Sequence, residues 1–211
     1  MALISLHSRI AGHSLERLAA LSDGIFAVAM TLLVLDLRVP MAEAIHSQRE
    51  LALALFAMWP KILMYAVSFL SLGLAWAAQQ TEMSWVAKSD RSFAWAQILF
   101  LFCVTLLPFT TQVVSQFHQY RLAFLLYWFN ISILGATLYR SWMHATSAEL
   151  TKPDMPPEIP EEVRKRFFTA QGLYTFGAVL CLISAYVSLA FILAVQLTYA
   201  LEPKITHREA H

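Results

Sequence analysis

Asp23 is the residue in this chain whose type and position most demand an explanation. It stands near the start of an apolar run, Ala19 to Leu35, inside a longer stretch from Leu15 to Leu37. Ser22 and Asp23 are the only polar side chains of that run before Thr31. A charged side chain inside a membrane helix costs roughly 2.5–3.5 kcal/mol on insertion scales. Asp23 therefore needs a partner, and Arg17, Ser22 and groups on neighbouring helices are the available ones. It is either an anchor that locks this helix to its neighbours or a site for a proton or ion. Helical geometry, at about 100° per residue, sets Val28, Thr31 and Leu35 within roughly 60° of one another. Gly24 falls on the same side, and Asp23 points roughly 140° away from Val28. One stripe is thus aliphatic with a single hydroxyl, and the carboxylate faces elsewhere. Geometry alone favours ordinary helix packing for the stripe, with Thr31 bonding back to the carbonyl of Ala27.

Other chemistry has little support. The chain has no P-loop, HExxH, GxSxG or TVGYG motif. Its seven histidines lie in termini, loops or span ends, and none pairs with another at metal-ligand spacing on one helix. Cys103 and Cys181 sit in apolar runs and cannot make a zinc site by themselves. Ser184 and Ser188 read as helix-packing residues, because no base accompanies them. No catalytic residue, cofactor or metal site is expected. A net charge of +1 leaves no general basic surface for nucleic acid.

The elements that position Asp23 follow from composition. Hydrophobic residues make up 58% of the 211, charged residues 14%, and mean hydropathy is +0.57. Soluble domains run about 45–50% apolar and about 25% charged. An integral membrane protein of about six spans fits this length. The first run reads as a retained span, because Met1 to Glu16 offers no compact apolar stretch and no small-residue cleavage site. A second region covers Leu51 to Ala78, with Leu51 to Met58 as an outer extension and Pro60 bending the helix. Phe93 to Val114 contains Pro108, whose freed backbone groups must find partners in a neighbouring helix. Leu122 to Met143 carries aromatics at both ends, as membrane interfaces prefer. Four prolines between Ala145 and Arg166 make a linker, and Phe167 to Leu201 reads as two short helices breaking near Ile183-Ser184-Ala185.

The chain thus divides into an N-terminal segment (1–16), helices one to four (17–144), a Pro-rich acidic linker (145–166), helices five and six (167–201) and a tail (202–211). With both termini and the linker in the cytoplasm, 11 Lys and Arg side chains lie inside and four outside, in the direction of the positive-inside rule.

Arg17-xxx-Leu21-Ser22-Asp23 resembles the RxxxFSD signature in the first helix of the transmembrane-protein-175 family. These are endolysosomal potassium channels and their smaller prokaryotic relatives. The continuation from Asp23 to Leu37 is also similar, as are Tyr65-Ala-Val-Ser68-Phe69 with Gly73 and Trp76, and Leu106-Leu-Pro108-Phe109. The resemblance runs from about Glu16 to Thr111. Leu21 replaces the family phenylalanine, and Gln79 and Gln80 stand where many relatives carry histidine.

The resemblance implies an all-α membrane protein of six transmembrane helices per subunit. It implies a channel fold without a TVGYG filter, assembled as a homotetramer in the plasma membrane of a prokaryote. The first helix lines the pore, with Val28, Thr31 and Leu35 facing the axis, and Arg17, Ser22 and Asp23 form a structural signature tying that helix to the second and third. Potassium is then the permeant ion, and the partners are membrane lipid and further copies of the chain. A ring of valine or leucine offers a cation no ligands, so selectivity rests on the Thr31 hydroxyl and is modest for K⁺ over Na⁺. Two competing readings remain: a proton-coupled secondary transporter using Asp23, and a membrane assembly protein without transport. No inverted repeat or pair of broken helices favours the transporter.

Overall fold

The computed structural model describes residues 2–201, with residues 2–14 and Ala44 described by their backbone alone. Seven α-helices follow one another: α1 (Ala2–Val34), α2 (Gln48–Ala57), α3 (Trp59–Trp85), α4 (Arg91–Phe117), α5 (Arg121–Ser147), α6 (Ile159–Leu180) and α7 (Ala185–Leu201). Residues 202–211, the tail expected in the cytoplasm, lie outside the described residues.

Among the described residues four helices are long and apolar enough to cross a membrane: the Leu15–Val34 part of α1, and α3, α4 and α5. Each of the last three has 27 residues. At about 1.5 Å per residue that is about 40 Å, more than a hydrocarbon core of about 30 Å requires. α7 is apolar but has 17 residues, and α6 opens with Glu161, Glu162, Arg164, Lys165 and Arg166.

Local chemistry fixes the ends. α1 starts at Ala2, so the N-terminal segment continues the first helix; it has no proline and one glycine to interrupt it. Pro60 lies in the first turn of α3 and does not bend a longer helix: its missing N–H costs nothing there, and α2 is a separate element ending at Ala57. The Ser47 side chain caps α2, accepting from the Glu50 N–H at 3.2 Å. Asp90 caps α4, accepting from the Phe93 N–H at 2.7 Å, and its other oxygen meets His144 of α5 at 2.8 Å. Burial alone would raise the Asp90 carboxyl, but the Phe93 N–H and the His144 ring together hold it below its usual value. Pro108 lies inside α4, and Asn130 of α5 answers it. Oriented to satisfy both groups, its amide nitrogen donates to the Cys103 carbonyl at 3.1 Å and its oxygen accepts from the Leu107 N–H at 3.2 Å.

α4 and α5 form an antiparallel hairpin, α1 packs on α3 and α4, and α7 packs on α3 and α6. The main core joins Phe26, Ala29 and Leu33 of α1 to Val67 and Leu72 of α3 and to Phe100, Val104 and Leu107 of α4. At one end of the bundle the α3–α4 connection pairs with the α5–α6 connection. Val86 bridges Thr151, and the Leu150 carbonyl accepts from Ala87 and Lys88 at 2.8 and 3.1 Å. At the other end Trp59, opening α3, stacks on Tyr186, just past the 181–184 turn between α6 and α7.

Candidate functional site

α1 has two opposed faces. Leu18, Ser22, Phe26, Ala29 and Leu33 are buried. They recur at four, four, three and four residues, which is one side of a helix. Val28 on the opposite side is 58% exposed and Thr31 is exposed with it, while Leu35, expected on the same stripe, lies in the turn one residue past the end of α1 and is 69% exposed. A Cβ added at Gly24, on that same side, would meet nothing within 4 Å. The Thr31 hydroxyl donates to the carbonyl of Val28 at 2.8 Å, one residue later than the Ala27 carbonyl expected. Its oxygen lone pairs remain open as acceptors.

Ser22 begins a hydrogen-bonded chain across four helices. Its hydroxyl donates to Gln79 Oε1 of α3. Gln79 Nε2 donates to Gln97 Oε1 of α4 at 2.8 Å, and Gln97 Nε2 donates to Ser141 Oγ of α5 at 2.8 Å. All four side chains are fully buried. Asp23 works beside this chain and not within it: its Oδ1 accepts from Trp76 Nε1 at 2.8 Å and from Gln80 Nε2 at 2.9 Å. Trp76 and Gln80 are four apart on α3 and so present one face to the carboxylate. Ser22 and Asp23, adjacent in sequence, thus take hold of α3 through residues 76, 79 and 80 and fix the rotation of α1. Arg17 is exposed and pairs with no carboxylate among the described residues.

A second polar cluster joins the rest of the bundle. Thr111 of α4 donates to Ser68 of α3 at 2.8 Å, and Ser71 meets Tyr127 of α5 at 3.2 Å. Gln196 of α7 donates to Ser71 at 2.6 Å and to Tyr174 of α6 at 3.3 Å. Sequence reasoning missed Gln97, Ser141, Gln196 and this cluster. The available signal was a glutamine inside an apolar run, which must find a partner in a bundle. Among the described residues no three His, Cys, Asp or Glu side chains are placed to hold a metal.

Four antiparallel apolar helices, joined inside by buried amide and hydroxyl bonds, define a polytopic α-helical membrane protein. The chain belongs to the TMEM175 family: residues 17–108 match the family described as Endosomal/lysosomal potassium channel TMEM175. A potassium channel of Chamaesiphon minutus is 31% identical over 185 residues, covering 85% of this chain and 91% of that protein. A potassium channel of Streptomyces collinus is 31% identical over 179 residues, 82% of this chain and 85% of its own length. The crystal structure of a lysosomal potassium-selective channel TMEM175 homologue from Chamaesiphon minutus superposes with a TM-score of 0.77 at 28% identity, covering 90% of this chain and 97% of that one. The family is one of ion channels and not of enzymes, and it implies no cofactor.

Proposed function

We propose that this protein is the subunit of a passive, potassium-permeable cation channel, in which copies of α1 surround a symmetric axis. The observation that carries the reading is the pair of faces on α1. Ser22, Phe26 and Leu33 are committed to the subunit's own core, while Val28, Thr31 and Leu35 are exposed on the opposite side. A single chain presents α1 once and cannot surround a pathway with it, whereas a closed ring of chains can. The relatives named potassium channels support the choice of ion, and a homotetramer is the assembly that the resemblance implies.

In this reading Val28, Thr31 and Leu35 line the pore, and the aliphatic rings form a hydrophobic constriction that dewets when narrow. Thr31 supplies the acceptor that gives modest K⁺ over Na⁺ preference. Arg17, Ser22 and Asp23 are the structural signature, and the last two hold α1 against α3. α6 and α7 complete six spans. Their support is that the α5–α6 connection joins one end of the bundle while Tyr186, after the α6–α7 turn, stacks on Trp59 at the other. Both termini then lie in the cytoplasm of a prokaryotic cell, beneath its plasma membrane, in keeping with the Lys and Arg bias.

The test is K⁺ efflux from liposomes holding the purified protein, driven by a K⁺ gradient with pH equal on both sides. Efflux above empty liposomes supports the channel. Efflux that requires a proton gradient supports the transporter using Asp23, and no efflux from correctly assembled protein supports a scaffold.

A further inference from the structure

A groove of about 370 Å³ opens between the first turns of α4 and the last third of α5. That volume falls within the range of ligand pockets, about 300–1,000 Å³. Arg91, Arg140 and His144 line it together with Trp95 and Leu99. Neither arginine has a carboxylate partner among the described residues. Asp90, next to Arg91 in sequence, is already engaged by His144 and the Phe93 N–H. Arg91 also opens α4, where a cation meets the positive end of the helix dipole. Two guanidiniums on neighbouring helices, neither paired among the described residues and one at a helix N-terminus, offer forked donors suited to a phosphate.

The face of α4 beneath this charge says what kind of phosphate fits. Arg91, Trp95, Leu99 and Phe102 recur at four, four and three residues, so they share one side of the helix. Trp95, Leu99 and Phe102 are 61%, 45% and 57% exposed. An aromatic belongs at the depth of the headgroups, and the side chains further along the span belong among acyl chains. The groove thus has a cationic head and an apolar track running from it into the membrane part of α4. A free anion has no use for the track, and an uncharged lipid has no use for the two arginines.

We propose that this groove binds the phosphate of an anionic phospholipid between Arg91 and Arg140, with an acyl chain laid along Trp95, Leu99 and Phe102. Basic pockets between helices at a membrane boundary recognise headgroups by this chemistry. The site lies on α4 and α5, away from the exposed stripe of α1, and its occupancy is read without measuring flux.

The experiment is native mass spectrometry of the full-length protein in neutral detergent, titrated with phosphatidylglycerol or phosphatidylcholine of the same acyl chains. Phosphatidylglycerol is expected to be retained about thirtyfold more tightly, the size of effect two basic side chains supply at a membrane surface. Arg91→Gln/Arg140→Gln is expected to bring the two lipids to near parity, while Arg38→Gln/Arg49→Gln, the same charge change at the other end of the bundle, leaves the preference intact. Equal retention of the two lipids by the unmodified protein overturns the proposal, as does a preference that survives in the Arg91 and Arg140 variant. Displacement of phosphatidylglycerol by inorganic phosphate alone also overturns it, by making the groove a site for free anions.

Discussion

Gln79→Leu tests whether the buried amide chain holds α1 in place. Gln79 accepts from Ser22 on one side and donates to Gln97 on the other, and all three side chains are fully buried. Leucine keeps roughly the volume and removes both bonds. Hydrogen bonds between membrane helices average about 0.6 kcal/mol and reach about 1.7 kcal/mol. Two of them give about 1–2 kcal/mol. The larger part is what remains behind: Gln97 Oε1 loses its donor in a fully buried position, at about 1–3 kcal/mol. The sum is about 2–5 kcal/mol. Gln80→Leu, by contrast, removes one exposed bond to a carboxylate that Trp76 still holds, so its cost is about 0.6 kcal/mol or less. The double variant Gln79→Leu/Gln97→Leu removes the orphaned acceptor together with its donor. The two serines left at the ends of the chain can bond back to their own helices, so the double variant should recover much of the loss. The assay is reversible unfolding in mixed micelles, followed by circular dichroism as the fraction of denaturing detergent rises. Gln79→Leu within about 0.5 kcal/mol of Gln80→Leu, or additive losses in the double variant, would refute the reasoning.

Four further outcomes follow from particular contacts. Thr31→Ala lowers the K⁺/Na⁺ permeability ratio measured from reversal potentials, because it deletes the one hydroxyl on the exposed stripe; an equal ratio in the two proteins sinks the role given to Thr31. Val28→Ala and Leu35→Ala each raise single-channel conductance or ease opening by widening an aliphatic ring, and unchanged currents in both would move the constriction elsewhere. Gly177→Ala weakens folding by about 1–3 kcal/mol, since its Cβ would stand 2.7 Å from Ile192 Cγ1 on α7, whereas Gly172→Ala on the same helix meets nothing within 4 Å and is neutral or stabilising; similar losses in thermal unfolding would refute the close approach. Asp90→Asn keeps a good cap but loses the charge facing His144. Because folding depresses the Asp90 carboxyl, its contribution is full above the ordinary carboxylate range and fades as pH falls through the folded value. The stability deficit of the variant should therefore narrow between about pH 5 and pH 3, and a deficit constant over that interval would count against the assignment.

What the sequence determined by itself is what periodicity and solvation cost determine. An apolar run of some twenty residues must become a helix in lipid, because no other local structure satisfies its own backbone there. Hence the runs beginning near residues 15, 93 and 122, and the part of Leu51 to Ala78 that follows its outer extension, correspond to α1, α4, α5 and α3. Pro108 leaves the Val104 carbonyl without its helical donor, and Asn130 of α5 bonds the Cys103 carbonyl and the Leu107 N–H beside it. The cost of a carboxylate marked Asp23, and the 100° step of the helix separated it from Val28, Thr31 and Leu35. The signature around Arg17, Ser22 and Asp23 was enough to give the family. What only the tertiary structure decided is which groups answer which. Nothing local to Asp23 says that Trp76 and Gln80, more than fifty residues away, hold it, or that Ser22 reaches Gln79 and through it Gln97 and Ser141. Those pairings depend on how α1 is rotated against α3 and α4, and that rotation is set by packing between helices far apart in the chain. Pro60 illustrates the same limit at short range: a proline reads equally as a bend or a beginning until the path of the chain before it is known. The basic groove belongs wholly to the tertiary level, because Arg91 and Arg140 lie on different spans and become one site only where α4 and α5 run side by side.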